Sequence, residues 1–288
     1  MTGVQTCALP IYDATAIAGT DSYATCALHK TGRVSCWGTH LVGKLDTGNV
    51  DRTPVDVGLD HVTSIEMGMY TACAHTDDHK LRCWGQRDDN TSWDTPTIVA
   101  KHPRSVGHGE PNTWGGGWQR QHWSCKRKGN GVSCIEHFDG RHDDSSDDHD
   151  ASFDSLTDVA NLLIPGELDA PFVLHHNGDV EIQDGDWKPF LHDIAALVHV
   201  APDEHSNSQE CVLSRAGKVS CWQGPNIDKI ADLGVGDGTQ LVGTTQDGYT
   251  GRACVLRKTG HVACWGSREM LGDGHGNELP PTDVPGVL

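Results

Sequence analysis

The sequence predicts an all-β chain in which one hairpin module is copied about six times. Three observations carry this expectation. Residues 26–38, CALHKTGRVSCWG, return almost letter for letter as CVLRKTGHVACWG at 254–266. Ten of the eleven cysteines fall into pairs nine or ten positions apart. Between these segments the chain is dense in Gly, Asp and Pro, as in GKLDTGNVDRTPVDVG and LGDGHGNELPPTDVPG, a composition of turns and short strands rather than long helices.

The turn of the module sets its register. In CALHKTGRVSC a three-residue loop, Lys30-Thr31-Gly32, places His29 against Arg33, Leu28 against Val34 and Cys26 against Cys36. Gly32 takes the left-handed position that closes such a loop. Gly217 and Gly260 repeat that placement. His79 occupies it in CAHTDDHKLRC, and His is among the non-glycine residues that accept positive φ. CKRKGNGVSC is one residue shorter and fits a two-residue turn at Gly129-Asn130. Facing positions bring Cβ atoms within disulfide reach. The sequence therefore predicts five cross-strand disulfides, Cys26–Cys36, Cys73–Cys83, Cys125–Cys134, Cys211–Cys221 and Cys254–Cys264, with buried reduced cysteines as the alternative. No C-x-x-C occurs, which argues against a zinc site.

FVLHHNGDVEI, from Phe172 to Ile182, follows the same template with Phe and Ile in place of the two cysteines and Gly178 at the turn. An apolar pair substitutes for a bridge where the facing site is buried, so the hairpin is the unit and the disulfide its staple. Each bridge closes a loop of about eleven residues and contributes roughly 2–3 kcal/mol on the chain-entropy model. Five such pairs imply an oxidising compartment, because cytosolic thiols are kept reduced.

The modules begin at residues 26, 73, 125, 172, 211 and 254, a period of about 45 residues, the size of one four-stranded blade or one helical pair. Apolar lead-ins precede most of them: DATAIAG, DHVTSIEMG, TDVANLLIPG and HDIAALVHV. Periodicity alone leaves strand or short helix open. The glycine-rich setting favours strands, and a closed ring of blades leaves no long sheet edge exposed. The units run approximately 12–58, 59–100, 101–157, 158–190, 191–229 and 230–288, read as a single β-propeller domain. Residues 1–11, MTGVQTCALPI, resemble a translated sequencing adapter and are set aside with Cys7; a natural N-terminal tail is the alternative.

Cys-Ala-Leu, turn Gly, Val, Cys-Trp-Gly, then Gly-x-Leu, Asp-Gly and a Pro-Val handover resemble the regulator of chromosome condensation repeat, in the cysteine-paired variety of bacterial extracytoplasmic proteins. The resemblance covers residues 12–288, strong in the first, second and last units and degenerate in the third and fourth. It implies a β-propeller, usually of seven blades. With six units visible and the chain ending at VPGVL, the expectation is a fragment of a seven-bladed ring, with a six-bladed ring as the alternative. Family members bind proteins, among them a small GTPase with chromatin in the eukaryotic founder and a β-lactamase in a secreted bacterial inhibitor.

Composition narrows the function. The formal net charge is −18, from 22 Lys plus Arg against 40 Asp plus Glu. Such a surface repels phosphate backbones, so nucleic acid is not an expected partner, and a guanine-nucleotide exchange or chromatin role fits badly. There is no apolar run long enough for a membrane-spanning helix. Trp37, Trp84, Trp222 and Trp265 each follow the second cysteine-register position of a hairpin, so they are expected to pack blades. Trp114, Trp118 and Trp123 break register in NTWGGGWQRQHW and are candidates for an exposed protein-binding anchor or for filling an irregular third unit.

The stretch FDGRHDDSSDDHDASFD offers alternating oxygens for Ca²⁺ at Asp144, Asp148 and Asp150, yet it lacks the glycine and closing glutamate of an EF-hand, and a solvated loop is the simpler reading. G-x-S-x-G and P-loop motifs are absent, and no nucleophile–base set can be assembled. The expectation is an extracytoplasmic, non-catalytic protein-binding module without a cofactor, with a Ca²⁺-dependent or carbohydrate-binding propeller as the alternative. Non-reducing peptide mapping is expected to link each cysteine to its partner within the same hairpin; bridges between distant modules would contradict the repeat.

Overall fold

The computed structural model describes residues 12–19, 24–38, 51–67, 71–86, 92–99, 121–128, 131–138, 156–163, 172–184, 186–200, 209–223, 229–244, 252–266 and 282–284. Among these residues the chain forms five four-stranded antiparallel sheets and one two-stranded hairpin. The first sheet is β1 (Ala14–Gly19), β2 (Ala24–His29), β3 (Val34–Gly38) and β4 (Asp51–Asp56). The second is β5 (Val62–Met67), β6 (Thr71–Thr76), β7 (Leu81–Gln86) and β8 (Ser92–Val99). The third module gives the hairpin β9 (Gln121–Lys128) and β10 (Gly131–Phe138). Then come β11 (Val159–Leu163), β12 (Phe172–His175), β13 (Val180–Asp184) and β14 (Asp186–Leu191). The fifth sheet is β15 (Ile194–Val200), β16 (Gln209–Ser214), β17 (Val219–Gln223) and β18 (Ala231–Asp232). The last is β19 (Gly238–Thr244), β20 (Arg252–Arg257), β21 (Val262–Gly266) and β22 (Thr282–Asp283).

Every four-stranded sheet is a meander whose strands pair in chain order. Consecutive meanders of this kind are the blades of a β-propeller, the fold class the sequence predicts. β18, which completes the fifth sheet, falls just past the unit boundary drawn near residue 229. By their contacts the sheets group into two compact units, one holding β1–β8 and β19–β22, the other β9–β18.

The hairpin register is the one the turns dictate. Cys26 faces Cys36, Cys73 faces Cys83, Cys211 faces Cys221 and Cys254 faces Cys264. All four pairs are bonded, each with Cα atoms 4.1 Å apart. Phe172 faces Ile182 in the same place. Cys125 faces Cys134, and Lys128 faces Gly131, as a two-residue turn requires; the side chains of this hairpin lie outside the described residues.

Three described core layers lie between blades, while Cys73 and Cys83 pack with Leu81, Trp93 and Val99 of their own blade. Side chains alternate across a strand, so the two cysteines of a hairpin point to one face of the blade and the following tryptophan to the other. In the first unit, Cys26, Leu28, Val34 and Cys36 share a buried layer with Ala72, Ala74 and Trp84 of the second blade. On the opposite face of the first blade, Ala14, Ile17, Ala27 and Trp37 share a layer with Cys254, Leu256, Val262 and Cys264 of the last. The second unit repeats the arrangement between β11–β14 and β15–β18, with Phe172 in the bridge position and Trp222 against it at 5.6 Å between ring centroids. Trp84, Trp37 and Trp222 thus each share a layer with the staple, or its apolar substitute, of a neighbouring blade. Trp37, Trp84, Trp222 and Trp265 are all 0–2 % exposed, and removing such a side chain costs about 3–5 kcal/mol.

Backbone and polar contacts fix the spacing of neighbouring blades. The carbonyl of the turn glycine accepts from the first residue of the next inner strand: Gly32 from Val62 at 2.9 Å, Gly178 from Ile194 at 2.9 Å and Gly260 from Ala14 at 3.1 Å. All five described inner strands carry a bulge at their second residue, where one extra residue increases the local twist. At three of these bulges the residue is Thr15, Thr63 or Thr239, whose hydroxyl donates to a carbonyl of the adjacent strand. Beyond the bulge, the Gln240 Oε1 accepts from the Ile17 N–H at 2.9 Å, and the Asn161 Nδ2 donates to the Leu197 carbonyl at 2.9 Å.

The outer strands are short or contain proline: Pro54 in β4, Pro96 in β8 and Pro189 in β14, with β18 and β22 two residues each. Proline tolerates this position because an outer strand leaves one row of amides unpaired.

Positive φ alone does not demand glycine at the hairpin turn, since His79 adopts φ 60° there. Close approach does. A Cβ at Gly260, φ +85°, would stand 2.4 Å from the Tyr12 carbonyl oxygen of the first blade, whereas at Gly58, φ +73°, it would meet nothing within 4 Å. Gly58→Ala is therefore expected to cost about 1 kcal/mol, and Gly260→Ala several-fold more, measured as shifts of the urea midpoint. Equal shifts would refute the close-approach explanation.

Candidate functional site: the loop-bearing end of the blades

Each blade has two ends of unlike character. The connection between its second and third strands spans residues 30–33, 77–80, 176–179, 215–218 and 258–261, four residues in every described sheet. Connections at the other end span 20–23 and 39–50 in the first blade, 68–70 and 87–91 in the second, 164–171 and residue 185 in the fourth, 201–208 and 224–230 in the fifth, and 245–251 and 267–281 in the last. Length is constant at the end whose turns at Gly32, Gly178 and Gly260 bond to a neighbouring blade, and variable at the other. Functional residues concentrate on such variable loops above a rigid scaffold.

The constant end is tied down by polar side chains. In every blade with described turn contacts, the first turn amide donates to the residue that precedes the inner strand: Lys30 to Asp13, Asp77 to His61, His176 to Asp158, Arg215 to Asp193 and Lys258 to Asp237, at 2.8–3.1 Å. The side chain three positions after the first cysteine reaches the same place. The Arg257 Nε donates to the Asp237 Oδ1 at 2.6 Å, and the His29 Nδ1 lies 2.7 Å from the Asp13 Oδ1. In the second blade the turn is held by Asp78, whose carboxyl sits well below the usual carboxylate range because Arg82, then Lys80 and Thr76, hydrogen-bond to it.

His29 also lies 2.9 Å from the Ser35 Oγ through its Nε2, so Asp13, His29 and Ser35 are connected as a carboxylate–imidazole–hydroxyl relay. Acyl transfer requires an electrophile beside the hydroxyl and donors for its oxyanion. Ser35 is 3 % exposed, on a strand paired on both sides, so the relay has no room for a substrate and serves as a brace.

The variable end rests on buried polar groups. Arg252 is fully buried at the start of β20, and its Nε donates to the Thr25 Oγ1 of β2 at 2.8 Å, joining the last blade to the first. Burial pushes its guanidinium down to about 9, which still leaves it charged at neutral pH. In the other unit Glu210, 1 % exposed at the start of β16, lies 3.0 Å through its Oε1 from the His199 Nδ1. Both residues stand within two positions before a bridge cysteine, at the root of a connection on the variable end. They anchor strands from which loops depart.

Of the sequence candidates, Trp114 and Trp118 lie outside the described residues, as do Asp144, Asp148 and Asp150. Trp123 is on β9, opposite Glu136 in the register. Among the described residues no three His, Cys, Asp or Glu side chains form a group able to hold a metal. The sequence reading passed over Thr25, Glu210, Arg252 and the Asp13–His29–Ser35 brace. One signal was available. Aligned on the first cysteine, the two preceding residues are Ala24-Thr25, Thr71-Ala72, Gln209-Glu210 and Arg252-Ala253, where two charged residues interrupt small ones.

No family model matches the chain, and no curated protein matches it. Similar solved structures include Prp20p from Saccharomyces cerevisiae, a protein with binding properties to Gsp1p and histones, at 13 % identity and a TM-score of 0.39, covering 94 % of this chain and 76 % of that one. Human WBSCR16 is similar at 16 % identity and a TM-score of 0.35, covering 82 % and 70 %. The fucose-specific lectin from Aleuria aurantia is similar at 12 % identity and a TM-score of 0.42, covering 98 % and 99 %. The blade assignment stands on the chain's own sheets.

If the relay at Ser35 is a brace, a fluorophosphonate probe is expected to leave Ser35 unlabelled in the folded protein. His29→Ala is expected to lower stability by about 1–3 kcal/mol by stranding its buried partner, read from urea unfolding. Labelling of Ser35 would instead make it an accessible nucleophile.

Proposed function

We propose that the protein is an extracytoplasmic, non-catalytic module that binds a protein partner through the variable end of its blades. The observation that carries this reading is the contrast between the two ends. The turns keep one length in five blades, and those at Gly32, Gly178 and Gly260 bond to a neighbouring blade, while the connections at the other end of each blade run from one to fifteen residues. A rigid frame with unconstrained loops on one side favours recognition. The four buried disulfides support an oxidising location. The net charge of −18 favours a partner with a basic surface, whose approach is steered at low ionic strength. Trp114 and Trp118, in the interval before the third module, and Trp123, on its first hairpin strand, supply the aromatic anchors such a surface uses.

Cross-linking mass spectrometry on the oxidised chain with partners captured from culture supernatant tests this. Cross-links are expected in 39–50, 101–120 and 267–281, with a loss of capture in the Trp114→Ala/Trp118→Ala/Trp123→Ala variant. Cross-links gathered at 30–33 and 258–261 would place the interface on the wrong end. Calorimetric titration with Ca²⁺ is expected to give no binding heat; a heat lost in Asp144→Asn/Asp148→Asn would favour the calcium-dependent alternative.

A further inference from the structure

The staples sit beside indoles. Cys26–Cys36 lies in one buried layer with Trp84 of the following blade, and Cys254–Cys264 in one with Trp37. In the blade that lacks a bridge, the ring of Phe172, at the first cysteine's place, meets Trp222 edge-on at 5.6 Å. Trp84 and Trp37 thus share with a neighbouring blade's bridge the buried layer that Trp222 shares with Phe172. All four sulfurs and both indoles are 0 % exposed, so a dissolved thiol cannot reach the bridges without parting the blades. Excited indole is the strongest one-electron donor among ordinary side chains, and a disulfide is a ready one-electron acceptor.

We propose that Trp84 and Trp37 act as internal photoreductants of the staple in the neighbouring blade, making each of these bridges a light-cleavable modification site. Near-ultraviolet excitation moves one electron from the indole into the antibonding S–S orbital. The disulfide radical anion splits into a thiyl radical and a thiolate. The indole radical cation gives up its Nε1 proton, and the thiolate takes a proton to become a thiol. One indole and one disulfide become one indolyl radical, one thiyl radical and one thiol, with no outside reductant. The Nε1 groups of Trp37 and Trp84 have no hydrogen-bond acceptor among the described residues, and the thiolate formed in the same buried layer is the base that takes the proton.

The test irradiates the folded, oxidised full chain at the red edge of the indole band, alkylates new thiols and maps them by mass. New thiols are expected at Cys26 or Cys36 and at Cys254 or Cys264. Trp84→Phe is expected to cut the yield at the first pair several-fold and leave the second unchanged; Trp37→Phe should do the reverse. The second variant also separates Trp37 from its chain neighbour Cys36. A gain-of-function arm covers the case in which either variant fails to fold. Phe172→Cys/Ile182→Cys places a new bridge beside Trp222, and that bridge should be photolabile unless Trp222→Phe accompanies it. Equal yields at every bridge in wild type and in both variants, or no thiol at any of them, would overturn the proposal.

Discussion

A tryptophan laid over the cross-strand pair of the preceding blade is the contact on which the architecture depends. A single four-stranded meander has two faces and cannot bury either alone. Here one face presents the bridge and the other the indole, so each blade is completed only by its neighbours. The same rule operates between the first and second blades, between the last and the first, and, with Phe172 in place of sulfur, between the fourth and fifth. The staple joins the two facing positions of the hairpin, and the indole of a neighbouring blade shares their buried layer.

That dependence explains why one end of the blade is invariant. The turn glycine offers its carbonyl to the next inner strand and leaves no space for a side chain at Gly260, while the threonine bulges set the pitch at which the inner strands meet. Insertion there would separate the layers. At the opposite end the connections differ in length from blade to blade. Arg252 and Glu210 are the exceptions that repeat averaging hides: charged groups taken into the interior where the loops take root. Their burial is costly and specific to their blades, as expected of positions set by individual loops rather than by the module.

Much of this fold was legible because cysteine marks two facing positions at once. Given Cys26 and Cys36 and the glycine between them, turn length, strand pairing and bridge all follow, and FVLHHNGDVEI could be read as the same hairpin because apolar residues replaced both thiols. The lead-ins became strands as their setting suggested. The bulges were not legible: Thr15 and Ala195 occupy equivalent places with no common chemistry, since the backbone makes the bulge and the side chain only sometimes caps it. Nor was the Asp13–His29–Ser35 brace, because its equivalents are Arg257 with Asp237 in one blade and Thr76 with Arg82 in another. Polar braces are solved differently each time, so they leave no periodic signal. Trp114 was singled out for breaking register and the Asp-rich stretch for its alternating oxygens, and the repeat says nothing about the arrangement of either.

The prolines of the outer strands have a consequence for the molecule in crowded company. A row of unpaired amides and carbonyls invites a strand from another chain, and fibrils grow by that invitation. Pro54, Pro96 and Pro189 interrupt the row in three blades, and two others present only two residues. In these five blades the outer edge is thereby a poor template for a strand of another copy.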